Sequence, residues 1–389
     1  MKKIILLSLL LTNVIICISQ NSTCGFKIND KSFALKDFDK NISAYINLES
    51  TNFRSTITIP VVVHIVWNLP EENVDDASVI SQINALNRDF NLENSDTFKV
   101  PQEFKSLIAN IGFHFCLASI DPYGNPTTGI VRQKTNKILN NIFDILYYSS
   151  KGGSDSWNSD KYLNIWVANI GTQISGLGSY PLGVPKDQEG VVINYKYFGI
   201  NNHPIYGLGR IAVHEVGHYF GLKHLWGDVN DCSVDDGVSD TPPQKEAHIG
   251  CPSYPQVGCS SSEMYMNYMD YVRDQCALMF TEGQKKRMLA TIELYRNQLK
   301  STNQSCLEVS NQINFVNSIY PNPSLEKFRI KFNTPLNRLL YYKIFDISGR
   351  LLVSKSELIN TYLDVDLNSY NSGVYFIIIE DKAFKLIKV

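Results

Sequence analysis

The chain has 389 residues, 44% of them hydrophobic and 19% charged, with a formal net charge of -2. Its length exceeds one ordinary domain, and its apolar content suits folded units. The near-neutral balance leaves no basic excess for gripping nucleic acid or anionic lipid, which argues against a polyanion partner.

Residues 1–19 place two lysines before an unbroken apolar run, the pattern of a secretory signal peptide and too short for a stable membrane span. Cys17 allows a lipoprotein anchor, but Ile16 stands where such signals want a small residue. No later apolar stretch is long enough to cross a bilayer. Residues 20–56 are polar and Asn-rich with no convincing element, and read as a prosegment; Arg54-Ser55 is a plausible maturation site.

From Ile59 the order is α/β. A strand over Ile59–Trp67 precedes a helix near Ala77–Phe90, a strand near Ile111–Ala118 and a helix over Asn136–Tyr148. Strands follow at Tyr162–Ala168 and Gly190–Tyr195. The expected architecture is a mixed, twisted sheet flanked by helices. Gly207–His224 reads as one long helix with its chemistry on one face. Residues 227–263, rich in Asp, Gly, Pro, Ser and Cys, show no period, and a loop of this length inside a compact domain is usually functional. A helix over Thr281–Lys300 closes this domain, taken as residues 57–306. A linker, 307–319, leads to short strands recurring about every ten residues over 320–389, the pattern of a small all-β sandwich.

Export lets thiols pair. Seven cysteines follow the signal, and Cys232, Cys251, Cys259 and Cys276 crowd together as two local disulfides with three possible pairings. One cysteine is left over.

The stretch HEVGHYFGLKH carries the chemistry. His214 and His218, four apart on a helix, project from one face and can reach one cation, while Glu215 lies one step round, close enough to act on a metal-bound water. Gly221 tolerates the backbone that ends the helix and turns the chain back, so that His224 supplies a third ligand. Three nitrogen ligands leave a position for water, the arrangement of a catalytic zinc site. Glu215 is then the general base.

These residues resemble the metzincin metallopeptidases, and within them the pappalysin (cytophagalysin-like) family, over about Ile59 to Cys306. The resemblance implies a secreted zinc endopeptidase acting on proteins or peptides. In NYMDY it makes Met269 the methionine of the turn beneath the metal and Tyr271 a hydrogen-bond donor to the oxyanion. It suggests the pairs Cys232–Cys259 and Cys251–Cys276. DCSVDDGVSDTPPQ resembles the family's calcium-binding stretch, with Asp236, Asp240 and Thr241 as contributors; a solvated acidic loop is the plainer reading. Asp274, five residues after Met269, should line the pocket for the side chain following the scissile bond and favour Arg or Lys there, or else face solvent beside Arg273. Related pro-enzymes hold the metal with a prosegment thiolate, a role open to Cys24 unless it pairs with Cys116 or Cys306.

YPNPS at Tyr320–Ser324, the DISGR turn and the GVYFIII strand resemble the C-terminal sorting domain of type IX secretion. That implies export through the periplasm of a Gram-negative bacterium to the cell surface or medium. Two other functions compete: a secreted adhesion protein with a vestigial zinc site, and a metalloenzyme hydrolysing something other than peptides. Glu215 speaks against the first, since a degenerate protease usually loses its base.

Overall fold

A computed structural model describes residues 23–25, 33–48, 56–139, 143–301, 306, 316–332, 338–359, 361–379 and 382–389. The signal peptide, Arg54-Ser55 and most of the linker lie outside these residues. The chain divides into two compact units, 1–308 and 309–389.

The first unit is built on a mixed sheet. Strand β2, Ile57–Trp67, is its centre, buried along nearly its whole length. A run of β-branched residues without alternation suits a strand covered on both faces. On one side it pairs in parallel with β3 (Phe113–Leu117) and, further along, with β4 (Ile130–Lys134). On the other side lie β5 (Leu163–Ala168), β7 (Val191–Asn194) and the antiparallel β6 (Ile174–Gly178). The two-residue β1, Thr23–Cys24, adds in parallel to the outer edge of β6. Helix α2, Asp76–Phe90, is capped by Asp75, whose carboxylate accepts from Ser78 N at 2.8 Å.

Two expectations need correction. Residues 20–56 are not without structure: Phe33–Leu48 form a 16-residue helix, α1. Its stripe of Phe38, Ile42, Tyr45 and Ile46 is narrow and lies among asparagines, so tertiary docking rather than propensity sustains it; Phe38 and Ile42 are fully buried against Tyr180 and Ala290. The helix expected over Asn136–Tyr148 is reduced to α3, Phe143–Leu146: residues 136–139 are not helical, and past the helix the chain doubles back at Gly152 (φ +104°) and Gly153. A Cβ on Gly153 would lie 2.1 Å from the Ile145 carbonyl oxygen, too close for any side chain.

The long helix is also shorter than expected. Helix α4 spans Arg210–Tyr219 and stops before His224. Residues 227–263 contain no helix or strand, and the disulfides Cys232–Cys259 and Cys251–Cys276 hold them. Cys116 bonds Cys306, so Cys24 is paired with neither. Helix α5, Glu282–Tyr295, opens with a capping box in which Thr281 and Gln284 bond each other's backbone N–H.

The second unit is an antiparallel two-sheet domain. Its strands are β8 (Val316–Tyr320), β9 (Lys327–Phe332), β10 (Arg338–Asp346), β11 (Leu351–Ile359), β12 (Tyr362–Asp366), β13 (Gly373–Ile379) and β14 (Lys382–Lys388). Sheets β11-β10-β13-β14 and β12-β9-β8 enclose Phe328, Ile330, Leu340, Ile344, Leu363 and Ile377.

Candidate active site

Helix α4 begins where Gly209 adopts φ +76°. Arg210, buried at its first turn, bonds Asp89 on α2 and Asp96, and so fixes the helix against its neighbour. Just past the helix end, Gly221 has a φ of +84° that favours glycine, and Leu222 N donates back to the Gly217 carbonyl at 3.0 Å. That reversal carries His224 to the face that presents His214 and His218.

The three Nε2 atoms form a triangle with sides of 3.1, 3.1 and 3.3 Å. Tetrahedral nitrogen ligands at about 2.0–2.1 Å from zinc stand roughly 3.3 Å apart, so the triangle fits such an ion. Each Nδ1 faces an oxygen instead: Tyr268 O at 2.6 Å, Leu222 O at 2.8 Å and Asp228 Oδ1 at 2.6 Å. With Nδ1 as donor, each ring is held in the tautomer that leaves Nε2 a lone pair. Burial lowers the His214 and His218 pKa values, to about 3 for His214, and favours neutral rings. Asp228 was not singled out in the sequence, although an aspartate four residues after a candidate metal-ligating histidine is a usable signal. The His224 ring also stacks on Trp226, centroids 4.5 Å apart.

Glu215 is buried, and burial pushes its carboxyl up to about 8, opposed by hydrogen bonds from Cys24 and from Gly178 N. The Cys24 thiol donates to Glu215 Oε2 at 3.3 Å, and its sulfur lies within 4.8 Å of the three histidine nitrogens. Strand β6 passes directly over this helix. Cβ atoms on Gly176 and Gly178 would lie 2.7 Å from Glu215 Cγ and 2.2 Å from the Glu215 carbonyl oxygen. Both glycines escaped the sequence reading, although glycine inside a strand signals a close backbone approach.

Met269 is fully buried beneath α4; a Cβ on Gly217 would come within 2.5 Å of its sulfur. Its turn is fastened by Asn267, which accepts from Met269 N and exchanges side-chain hydrogen bonds with Gln284 of α5. The Tyr271 ring lies 5.8 Å from that of His214 and 4.9 Å from that of His224, and burial raises its hydroxyl pKa. Asp274 does not face solvent. It is buried, accepts from Leu208 N at 2.7 Å, and lines a pocket with Tyr206, Ile211, Val272 and Ala277. Burial pushes its carboxyl up to about 6, against the Leu208 hydrogen bond and the Arg210 charge.

Of the three residues of the acidic loop, Asp236 and Thr241 stay together and Asp240 parts from them. Asp236 Oδ1 accepts from Thr241 Oγ1 at 2.7 Å and from Val238 N at 3.0 Å, while its buried Oδ2 has no hydrogen-bond partner among the described residues. Burial pushes this carboxyl up to about 7. Asp240 instead accepts from Thr281 Oγ1 and Gly283 N at the start of α5.

A promirolysin mutant from Tannerella forsythia is 38% identical, over 72% of this chain and 97% of its own, with a TM-score of 0.67. An extracellular metalloprotease from Arthroderma gypseum is 30% identical over 61% of this chain and 73% of its own length. The chain belongs to the pappalysin family of metalloproteases. The profile described as pregnancy-associated plasma protein-A matches residues 147–293, and that of a secretion system C-terminal sorting domain matches 318–389. Mature mirolysin in complex with a cleaved peptide, also from T. forsythia, is 41% identical with a TM-score of 0.62, covering 64% of this chain and 97% of that one. This pappalysin is thus a secreted metalloprotease with a type IX sorting domain and a catalytic metal. None of its described helices is long and apolar enough to cross a membrane.

Proposed function

We propose that the protein is a zinc endopeptidase made as a latent precursor, with His214, His218 and His224 as metal ligands and Glu215 as general base. The observation that carries this reading is the triangle of three Nε2 atoms, 3.1–3.3 Å apart, with Glu215 one step along the same helix.

When bound there, zinc supplies Lewis acidity and a site for water whose pKa falls toward about 7. Glu215 takes a proton from the attacking water and returns it to the leaving amine. The Tyr271 hydroxyl donates to the carbonyl oxygen as it gains charge. Met269 supports the two helical histidines from below. Asp274, as a carboxylate at the pocket wall, favours Arg or Lys after the scissile bond.

Latency rests on residues 20–56 acting as a prosegment. Cys24 stands where a fourth metal ligand would, and β1 takes the free edge of β6, which an extended peptide could otherwise extend. Helix α1 anchors the segment: Asp39 bridges Lys223 Nζ at 2.6 Å and the Arg287 guanidinium, beside buried Phe38. A structural calcium ion held by Asp236 and Thr241 would satisfy the orphaned Asp236 Oδ2; Asp240 serves the cap of α5. Residues 57–306 are taken as the protease, acting on extracellular proteins, and 320–389 as the domain engaging the type IX machinery.

The test is cleavage of a broad peptide library by the activated protein, before and after zinc chelation and after zinc is restored. Cutting should vanish and return, with basic residues enriched after the scissile bond. Chelator-resistant cutting would refute the metal assignment, and an even residue distribution would refute the role of Asp274.

A further inference from the structure

His248 lies in the disulfide-held loop, and both of its ring nitrogens face carboxylates. Nδ1 is 2.9 Å from Asp270 Oδ2 and Nε2 is 3.1 Å from Glu263 Oε2. A neutral imidazole carries one N–H, so one of these contacts would set a lone pair against a carboxylate; an imidazolium donates to both. Both carboxylates are buried and already act as acceptors. Asp270 accepts from His248 N at 2.9 Å, Gln244 Nε2 at 2.9 Å and Tyr271 N at 2.7 Å, and Glu263 accepts from Lys245 N at 2.9 Å. The charged and titratable groups facing the ring are Asp270, Glu263 and Glu246, with the Tyr265 ring at 6.0 Å.

Asp270 stands between Met269, packed under α4, and Tyr271, whose ring covers His214 and His224. We infer that His248, as an imidazolium, is a positioning residue for Tyr271: it clamps the Asp270 carboxylate that holds the Tyr271 backbone N–H, and ties it through Glu263 to the disulfide loop. This inference rests on the reading of Tyr271 as donor to the oxyanion. Burial lowers the pKa of the ring, but the Asp270 hydrogen bond and the charges of Asp270 and Glu263 outweigh it, and the net shift is upward from 6.5. The clamp is therefore complete below that raised pKa and lost as pH rises through it.

The test measures kcat and KM from about pH 5 to 9 for activated, zinc-loaded wild type and the variants H248N, E263Q, Y271F and H248N/Y271F, with the His248 titration followed by NMR. In the wild type His248 should titrate above 6.5, and kcat should fall through the same pH. H248N should lose that fall and lower kcat at neutral pH about tenfold with KM little changed, a part of the 10²–10³ attached to an oxyanion donor. E263Q should keep the neutral rate and lose the fall, because a neutral ring then donates to Asp270 and accepts from the amide. In the Y271F background H248N should add nothing, since the two residues act through one hydroxyl. Wild-type kcat in H248N, a His248 pKa at or below 6.5, or an undiminished H248N loss in Y271F would each overturn the clamp. Wild-type kcat in Y271F would instead overturn the reading of Tyr271 itself.

Discussion

Replacing Gly178 by Ala measures how closely β6 is fitted to helix α4. The added Cβ would lie 2.2 Å from the Glu215 carbonyl oxygen, 2.9 Å from His218 Cβ and 3.0 Å from the Glu215 carbonyl carbon. These atoms belong to the helix backbone or its root and cannot swing aside. Moving from 2.2 Å to an ordinary contact of 3.4 Å requires a retreat of about 1.2 Å. The strand, the helix or both must give, and the Gly178 N–H contact with Glu215 goes with them. A misplacement of about 1 Å in a catalytic group can cost about 10²-fold in rate, and overpacking of this kind destabilises by roughly 1–3 kcal/mol. The activated variant should therefore lose about 10²-fold in kcat/KM on a fluorogenic peptide, and its Tm should fall by roughly 2–10 °C. Gly373→Ala is the control: nothing lies closer than 4.0 Å to its added Cβ, and it should change neither quantity. If Gly178→Ala cleaves within twofold of wild type at an unchanged Tm, the close approach of β6 to α4 is wrong.

Other perturbations address separate parts of the site. Asp228→Ala removes the acceptor from His224 Nδ1 and should weaken zinc affinity about 10–100-fold, read by competition with a chromophoric chelator; unchanged affinity would remove Asp228 from the metal site. Asp274 should favour basic residues only when ionised, so the preference for Arg or Lys over Ala should grow as pH rises through about 6. Asp274→Asn should abolish both the preference and its pH dependence, and a persisting preference would point to another residue. In the precursor, Asp39→Ala breaks the bridge to Lys223 and Arg287 and should speed the appearance of activity without altering the activated enzyme; identical activation time courses would exclude α1 as an anchor. Asp236→Asn should remove calcium-dependent stabilisation, seen as loss of a Tm rise on adding calcium.

The candidate metal site was legible because its geometry is local. His214, Glu215 and His218 are ordered by the helical period, and Gly221 marks the reversal to His224. The order of sheet and helices could be followed from the mainly apolar runs of β2, β5 and β7 and from the helical period of apolar residues in α2. What was missed depends on distant partners. Strand β6 contains Gly176 and Gly178, poor strand formers that α4 requires, and β4 is a half-exposed edge. Helix α1 is held by Phe38 and Ile42 against Tyr180 and Ala290, residues far away in sequence. His248 touches the site only through Asp270, so spacing gave it no role, whereas the four-residue spacing of Asp228 from His224 was a signal that went unread. Asp240, grouped with Asp236 by the loop's resemblance to a calcium-binding stretch, accepts instead from Thr281 and Gly283.

The most direct test of the central claim is the turnover of Glu215→Gln beside wild type, with zinc content measured on the same samples. Glu215 is not among the three nitrogen ligands, so the variant should hold one zinc per chain and lose at least about 10²–10⁴-fold in kcat, the range for an essential general base. A variant that cuts at the wild-type rate with zinc bound, or that loses activity only because it loses the metal, would contradict the assignment.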